Sequence, residues 1–471
     1  MPLILPGNVA SATAAVGYNV ANSCRFNAAD SANMTITPGS AGSQVKWTLS
    51  LWVKRGKLSG GHEYITTATE GSNEFIMEFD GSDRIDWYQY NGSGFDARLL
   101  TYRVFRDCSA WYHLVFVWDS SNATAGNRMR IYVNGVEETS FSVDSNTDGA
   151  SSTWNDDTVH HLGTYTDTAG YFDGYMAEVI FINNAALAPT SFGEFNEDSP
   201  NIWQPIEAVE DLTPGTNGFY LDFKASDNLG NNAFASGAAD LTEDNLDATD
   251  QATDSPTNNF CTLNPRFHTN WQSQVTNTVG FAQGNCTLLE NAHSAGMGTM
   301  GTTNMKFYYE VKLSASDFST GVMATNPTAS VTASIYSYND ATAYGFYPED
   351  SAQYRFTAGS WTSDSTFSGS GTYHYAVDPT NNKLWVGKDG TWDGDPAAGT
   401  GEIITLGTHE YTPWGHCSGT GGTNIGEFNF GGCSAFTVAS ANSDGNGYGN
   451  FEFAVPSGFL ALCSKNLGEN G

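Results

Sequence analysis

The stretch EFDGSD carries three carboxylates within six residues, Glu78, Asp80 and Asp83. Two carboxyl groups about 5 Å apart can cleave a glycosidic bond, one as general acid and the other as nucleophile. Alternate residues of an extended chain project to one side, so Glu78 and Asp80 would share a strand face. Asp83 follows Gly81-Ser82, which reads as a turn, and a turn does not hold a third acid in register with the other two. No catalytic residue is therefore assigned, and these three acids stand as the weaker alternative. The adjacent His160 and His161 would point to opposite faces of a strand, a poor geometry for holding one metal together.

A candidate calcium loop runs through DSNTDGASSTWND. Asp144, Asn146 and Asp148, followed by Gly149, match the first half of the D-x-[DN]-x-[DN]-G pattern that presents hard oxygen ligands on alternate residues. Asn155 stands at the twelfth position in place of the bidentate Glu, and Asp156 comes one residue later. The expected ligand set is Asp144, Asn146, Asp148 and Asp156, with a solvated Asx-rich turn as the alternative. Trp154, Tyr165, Tyr171, Trp392 and Trp414 lie among polar, loop-like residues and are the candidates for stacking on the C–H faces of sugars, unless they are core. Tyr175 and Phe172 are assigned to packing.

The elements that must position these residues read as short strands. KWTLSLWVKRG, EFIMEFD, RIDWYQYN, WYHLVFVWD, RMRIYVNG and YMAEVIFIN are aromatic or β-branched and bounded by Gly, Asn, Asp or Pro, and KFYYEVKLS, KLWVGKDG and IGEFNFGG continue the pattern. Asn134-Gly135 supplies the two positive-φ residues of a type I′ hairpin turn, and Asp389-Gly390 repeats the device. No long helix is expected; APTSFGEFNED holds at most a short helical turn opened by Pro189. The predicted class is all-β, with two antiparallel sandwiches in tandem.

A chain of 471 residues, 39% hydrophobic and 13% aromatic, can bury more than one core. Its 51 acidic and 19 basic residues give a formal charge of −32, a field that repels nucleic acid and anionic membranes. The N-terminus MPLILPG lacks a positive n-region, and no run is long enough for a membrane span. Seven widely spaced cysteines show no CxxC and are expected to be buried, reduced hydrophobes. Between Lys224 and Arg266 no basic residue occurs, so residues 231–258 read as an acidic linker.

From Cys24 to Phe223 the ordered motifs CRFNAADSANMTITP, WTLSLWVKRGKL, FRDCSAWYHLVFVWD, RMRIYVNGVE and FDGYMAEVIFINN resemble a laminin G-like, concanavalin A-type jelly roll, most similar to the version in tail and surface proteins of marine bacteriophages. The second half resembles a SPRY domain through KFYYEVKLS, NNKLWVGKDGTW, IGEFNFGG and PSGFLALC. The implied organisation is a laminin G-like jelly roll over 21–230, the linker over 231–258 and a SPRY-like sandwich over 259–471; before them stands an N-terminal arm over 1–20, whose apolar MPLILPG is a candidate docking segment with a disordered tail as the alternative. Some glycoside hydrolases share the jelly roll and use an ExDxxE strand motif, in which Asp83 here replaces the last Glu. What the resemblance implies is a non-enzymatic virion protein, a tail fibre or surface adhesin, that is made in the host cytoplasm and released by lysis. It would bind host-surface glycans and other virion proteins as a homo-oligomer; a glycoside hydrolase and a purely architectural decoration protein are the alternatives.

Overall fold

The computed structural model describes residues 17–58, 60–165, 169–266, 280–289, 295–315, 317–327, 340–348, 353–417 and 425–471. The expected docking arm MPLILPG lies outside them. The chain divides into two compact units, Ala14–Thr257 and a second built from Asn258–Gly471. Both are β sandwiches, as the period-two patterns predict. Among the described residues the one α-helix is Ser464–Asn470, and Pro189–Ser191 forms a 3-10 turn.

In the first unit, Lys46–Arg55 is central in an eight-stranded antiparallel sheet, between Tyr112–Asp119 and Gly174–Asn183. Its alternation decides its burial on both sides. Trp47, Leu49, Leu51 and Val53 enter the core between the sheets, while Thr48, Ser50 and Lys54 find polar partners on the other side. The second eight-stranded sheet places Phe141–Asn146, Phe95–Val104, Arg84–Asn91, Asn73–Phe79, Glu63–Glu70, His160–Leu162, Asn33–Ile36 and Thr242–Asp244 side by side. Four tryptophans, Trp47, Trp87, Trp118 and Trp154, fill the space between the sheets, with Trp47 and Trp118 stacked at 5.9 Å.

The hairpin after Met129–Val133 turns through Asn134 (φ 49°) and Gly135 (φ 78°), the geometry expected of Asn-Gly. Gly135 is also required by packing, because a Cβ there would stand 2.3 Å from the Trp203 ring. In the second unit Asp389 (φ 48°) and Gly390 (φ 83°) make the equivalent turn. That unit pairs a nine-stranded sheet, with Phe307–Leu313 near its middle, against a six-stranded one containing Phe318–Ala324 and Tyr411–Cys417. Tyr309, Tyr375, Val322, Phe346 and Phe428 meet in its core. All seven cysteines are buried.

Residues 231–258 are not a linker. Thr242–Asp244 adds an edge strand to Asn33–Ile36, and Gln251–Ala252 pairs with Ser23–Phe26. Leu241 and Leu246 are in the core. The acids that made the segment look solvated are spent on specific partners. Asp247 and Asp250 form a capping box, Asp250 pairs with Arg25 at 3.1 Å, and Asp254 takes Lys54 at 2.7 Å with both side chains 1% exposed. The indole N–H of Trp111 donates to the same Asp254 at 3.0 Å. The first sandwich therefore runs on to Thr257 instead of ending near residue 230.

Removing one partner of a buried ion pair strands the other in a dry site, at a cost of about 3–5 kcal/mol. Asp254→Ala is expected to destabilise the first unit by that amount in urea denaturation, with Lys54→Met/Asp254→Leu recovering most of it. A loss below about 1 kcal/mol in the single variant would show the segment to be dispensable.

Candidate functional site

Phe75, Met77, Phe79, Ile85, Trp87, Ala97 and Leu99 point into the core, so the residues alternating with them form the opposite face of the second sheet. The register sets them in rows. Tyr64 pairs with Glu78, Glu78 with Asp86, and Asp86 with Leu100. The next row runs from Thr67 through Ile76 and Tyr88 to Arg98, and the third brings Glu74 beside Tyr90. A bulge between Tyr64 and Thr66 aims Tyr64 at this face although Ile65 and Ala68 are both core.

Three carboxylates lie along this face in three settings. Asp86 is gripped by Arg98 through Nε at 2.9 Å and Nη2 at 2.6 Å. Glu74 accepts the Tyr165 phenol at 2.5 Å, and that hydrogen bond, together with burial, pushes the phenol up to about 12. Glu78, with its side chain 2% exposed, meets Nδ1 of the half-exposed His62 at 2.8 Å. Burial raises its carboxyl from the ordinary 4.5 to about 7; His62 opposes the rise, and Asp86 and Asp80 add to it.

Aromatic rings flank the carboxylates on both sides. Tyr64 and Tyr165 stand 5.1 Å apart, with the loop carrying Gly170 (φ 70°) pressed on Tyr64; a Cβ at Gly170 would lie 2.1 Å from that ring. On the other side Phe95, 48% exposed, contacts Tyr88 at 5.2 Å and Tyr90 at 5.5 Å, and the Arg98 guanidinium lies 4.7 Å from its ring. Acceptor oxygens between aromatic faces are what a polyhydroxylated ring needs, hydroxyls on the former and C–H groups on the latter.

The acid triad weighed as the weaker alternative does not form. Glu78 is on this face, but Asp80 is engaged by Arg84 at 2.9 and 2.7 Å and by the backbone N–H groups of Ser82 and Arg84. Burial opposes ionisation of Asp80, yet those hydrogen bonds win and lower its pKa. Asp83, at φ 66°, is buried and paired with the buried Arg55 and the exposed Arg106. The acid beside Glu78 is instead Asp86, across the strand pair.

Of the five aromatic candidates, Tyr165 joins the site and Tyr171 follows Gly170 beside it, both half-buried. Trp154 is core, 1% exposed, packed on His160 at 4.4 Å, Phe181 at 5.6 Å and Phe75 at 5.8 Å. Trp414 is core too, against Phe356 at 5.4 Å. Trp392 is half-buried on His374 at 4.3 Å.

The calcium loop is likewise corrected. Asp144 and Asn146 belong to the strand Phe141–Asn146, paired with Leu99 and Ala97, so no loop curls around a cation. Asp148 salt-bridges Arg128 at 3.2 Å, and Asn155 is buried, its amide bonded to Ser43 and Asn183. Among the described residues no three His, Cys, Asp or Glu gather as a metal site, and Asp144, Asn146, Asp148 and Asp156 do not fit calcium.

His160 and His161 do point apart, His160 into the core against Trp154. A serine–histidine contact that the sequence did not announce, Ser50 with His113 at 2.9 Å, is structural. The Trp203 indole N–H donates to His113 Nδ1 at 2.8 Å, so the neutral ring carries its proton on Nε2 and donates it to Ser50. Sequence reasoning missed His62, Tyr64, Glu74, Asp86, Tyr88 and Arg98. The signal was present in the alternation of EFIMEF and IDWYQY, whose non-core positions carry the carboxylates and tyrosines.

Residues 28–190 match the family model of the concanavalin A-like lectin/glucanases superfamily, and this stretch contains all the strands of the face just described. The first unit has a concanavalin A-like, laminin G-type fold. Among solved structures, domains LG4-5 of the mouse laminin alpha1 chain share 9% identity over 89% of this chain and 92% of theirs, with a TM-score of 0.30. Domain 4 of AbnA, an extracellular arabinanase from Geobacillus stearothermophilus solved with arabinotriose, shares 20% identity over 31% of this chain, with a TM-score of 0.25. The match spans 65% of that domain's chain, just under two thirds. The SPRY domain of human HERC1 shares 11% identity over 30% of this chain and 86% of its own, with a TM-score of 0.22. These likenesses are of fold. No curated protein matches the chain.

Trp154→Ala is expected to cost about 3–5 kcal/mol in chemical denaturation, the penalty of emptying a packed indole site. Glu78 sets a pH dependence of stability. Its folded pKa lies above the ordinary one, so stability is greatest where it is protonated in both states and is lost as pH rises from 4.5 through about 7. Glu78→Gln should therefore melt above the wild type at pH values beyond about 8 and converge with it below about 4.5. Parallel melting curves at all pH values would refute this.

Proposed function

We propose that the protein is a non-enzymatic glycan-binding adhesin, carried on a bacteriophage particle as a tail fibre or surface protein. The observation that carries the glycan reading is the face on which Glu74, Glu78 and Asp86 run between Tyr64–Tyr165 on one side and Tyr88–Phe95–Tyr90 on the other. Carboxylates take hydroxyl hydrogens, and exposed rings take the apolar faces of the sugar. The three acids and the formal charge of −32 select neutral or amino-bearing glycans over sulfated or uronic ones. The virion setting is supported by the resemblance of the ordered motifs CRFNAADSANMTITP through FDGYMAEVIFINN to phage tail and surface proteins.

A second reading, hydrolysis of a glycosidic bond, is favoured by one observation. Glu78 keeps its proton up to about pH 7 and faces Asp86 directly across the strand pair, the pairing of acid and carboxylate that such a reaction uses.

Binding to immobilised neutral and anionic glycans, followed by calorimetry on those retained, separates the readings. Tyr88→Ala and Glu74→Gln are expected to weaken binding of a neutral or amino glycan at least about tenfold, about 1.4 kcal/mol each, with little change in melting temperature. Retention of no glycan, or of anionic ones alone, overturns the proposal. Release of reducing ends from a bound glycan, abolished by Glu78→Gln, would establish the hydrolase.

A further inference from the structure

On the other sheet of the first unit, Glu178 sits at a bulge in Gly174–Asn183, with φ 49° in the left-handed region that a glutamate seldom adopts. The bulge aims its carboxyl at two phenols. Tyr220 Oη lies 2.9 Å from Oε1, Tyr18 Oη lies 3.2 Å from Oε2, and the two phenol oxygens are 3.2 Å apart. Tyr220 belongs to the strand Phe219–Leu221, but Tyr18 belongs to the segment that leads into the first strand, Ser23–Phe26.

Counting protons over these contacts is decisive. These three contacts, each shorter than the 3.4 Å from Tyr18 Oη to Oε1, close a ring, and each needs one hydrogen. With Glu178 ionised only the two phenolic hydrogens are present; both go to the carboxylate, and the phenol–phenol contact is left as two facing oxygens. With Glu178 protonated there are three: the carboxylic O–H donates to one phenol, that phenol to the other, and the second phenol back to the carbonyl oxygen. The geometry points to a proton-closed clasp, in which protonated Glu178, Tyr220 and Tyr18 seat the N-terminal segment on the sheet and loss of that proton loosens it.

The electrostatics agree with this direction. Burial is the largest influence on Glu178 and raises its carboxyl to about 7, the two phenols oppose the rise, and Asp222 adds to it. Among the described residues these are the titratable groups that act on it. Lifting Tyr18 returns the carboxyl to water, where ionisation is easier, so a rising pH favours the lifted form. Glu178 is separate from the carboxylate–aromatic face, which lies on the second sheet.

Amide hydrogen exchange of the full chain, corrected for the intrinsic pH dependence of exchange, tests this. Protection of residues 17–22 is expected to fall at least about tenfold between about pH 6 and about pH 8.5, while the core strand Lys46–Arg55 stays unchanged over that range. In Glu178→Gln the fall should vanish. Tyr18→Phe removes the hydroxyl that closes the ring, so protection of 17–22 should be low already at about pH 6 and should show no further fall. Protection of 17–22 that is flat with pH in the wild type, that falls equally in Glu178→Gln, or that still falls at least about tenfold in Tyr18→Phe, overturns the clasp.

Discussion

The carboxylate–aromatic face depends on the buried guanidinium of Arg55. Arg55 ends the strand Lys46–Arg55 of one sheet, and its side chain, 1% exposed, crosses to the other. There it meets Glu63 at 2.8 Å, Asp83 at 3.1 Å and the Phe105 carbonyl at 2.7 Å, with its plane 4.3 Å from the Phe79 ring. Glu63 opens the strand that carries Tyr64, and Asp83 forms the turn joining the strands that carry Glu78 and Asp86. One cation thus fixes where both strand ends stand, and with them the register that sets Tyr64, Glu78 and Asp86 in a row. A buried cation is an expensive fixture, tolerable because each of its three nitrogens meets a carboxylate or carbonyl. Replacing it with an apolar side chain would leave Glu63 without its guanidinium partner and Asp83 with Arg106 alone, and the turn would lose its ionic tie to the other sheet.

The parts of the fold that could be read in the sequence are those governed by neighbours in the chain. Asn134-Gly135 and Asp389-Gly390 specify their turns through backbone sterics alone, and EFIMEF announces a strand by alternation. Residues 231–258 were misread because composition counts charges without their partners. Asp250 and Asp254 look like solvated acids until Arg25 and Lys54, more than 190 residues earlier, are found against them. Trp154 was misread for a related reason. Asn155, Asp156 and Asp157 beside it suggest a loop open to water, yet Asn155 turns at φ 75° and delivers the indole into the space between the sheets.

The candidate site was half legible. Glu78 was singled out, but with Asp80 and Asp83, its neighbours in sequence. Asp86 becomes its companion only once the turn at Asp83 folds one strand onto the next, and register is a property of the pair. The calcium pattern failed by the same logic in reverse. A D-x-N-x-D-G run describes a loop only where nothing else claims its backbone, and Phe95–Val104 claims Asp144 through Asn146 as strand partners.

The three carboxylates of the face differ in what holds them, and that difference bears on what the face can do. Arg98 fixes the rotamer of Asp86 by two bonds, and the Tyr165 phenol fixes Glu74, so neither must be ordered again when a ligand arrives. Both acids can act as preset acceptors. Among the described residues Glu78 has only the half-exposed imidazole of His62. Its proton can therefore come and go near neutral pH, and with it the choice between donating and accepting a hydrogen bond. A face with two fixed acceptors and one exchangeable donor suits a ligand that presents hydroxyls of both senses. On the proposed reading, affinity would respond to pH through Glu78, the one carboxylate of the three that, among the described residues, no arginine or phenol holds.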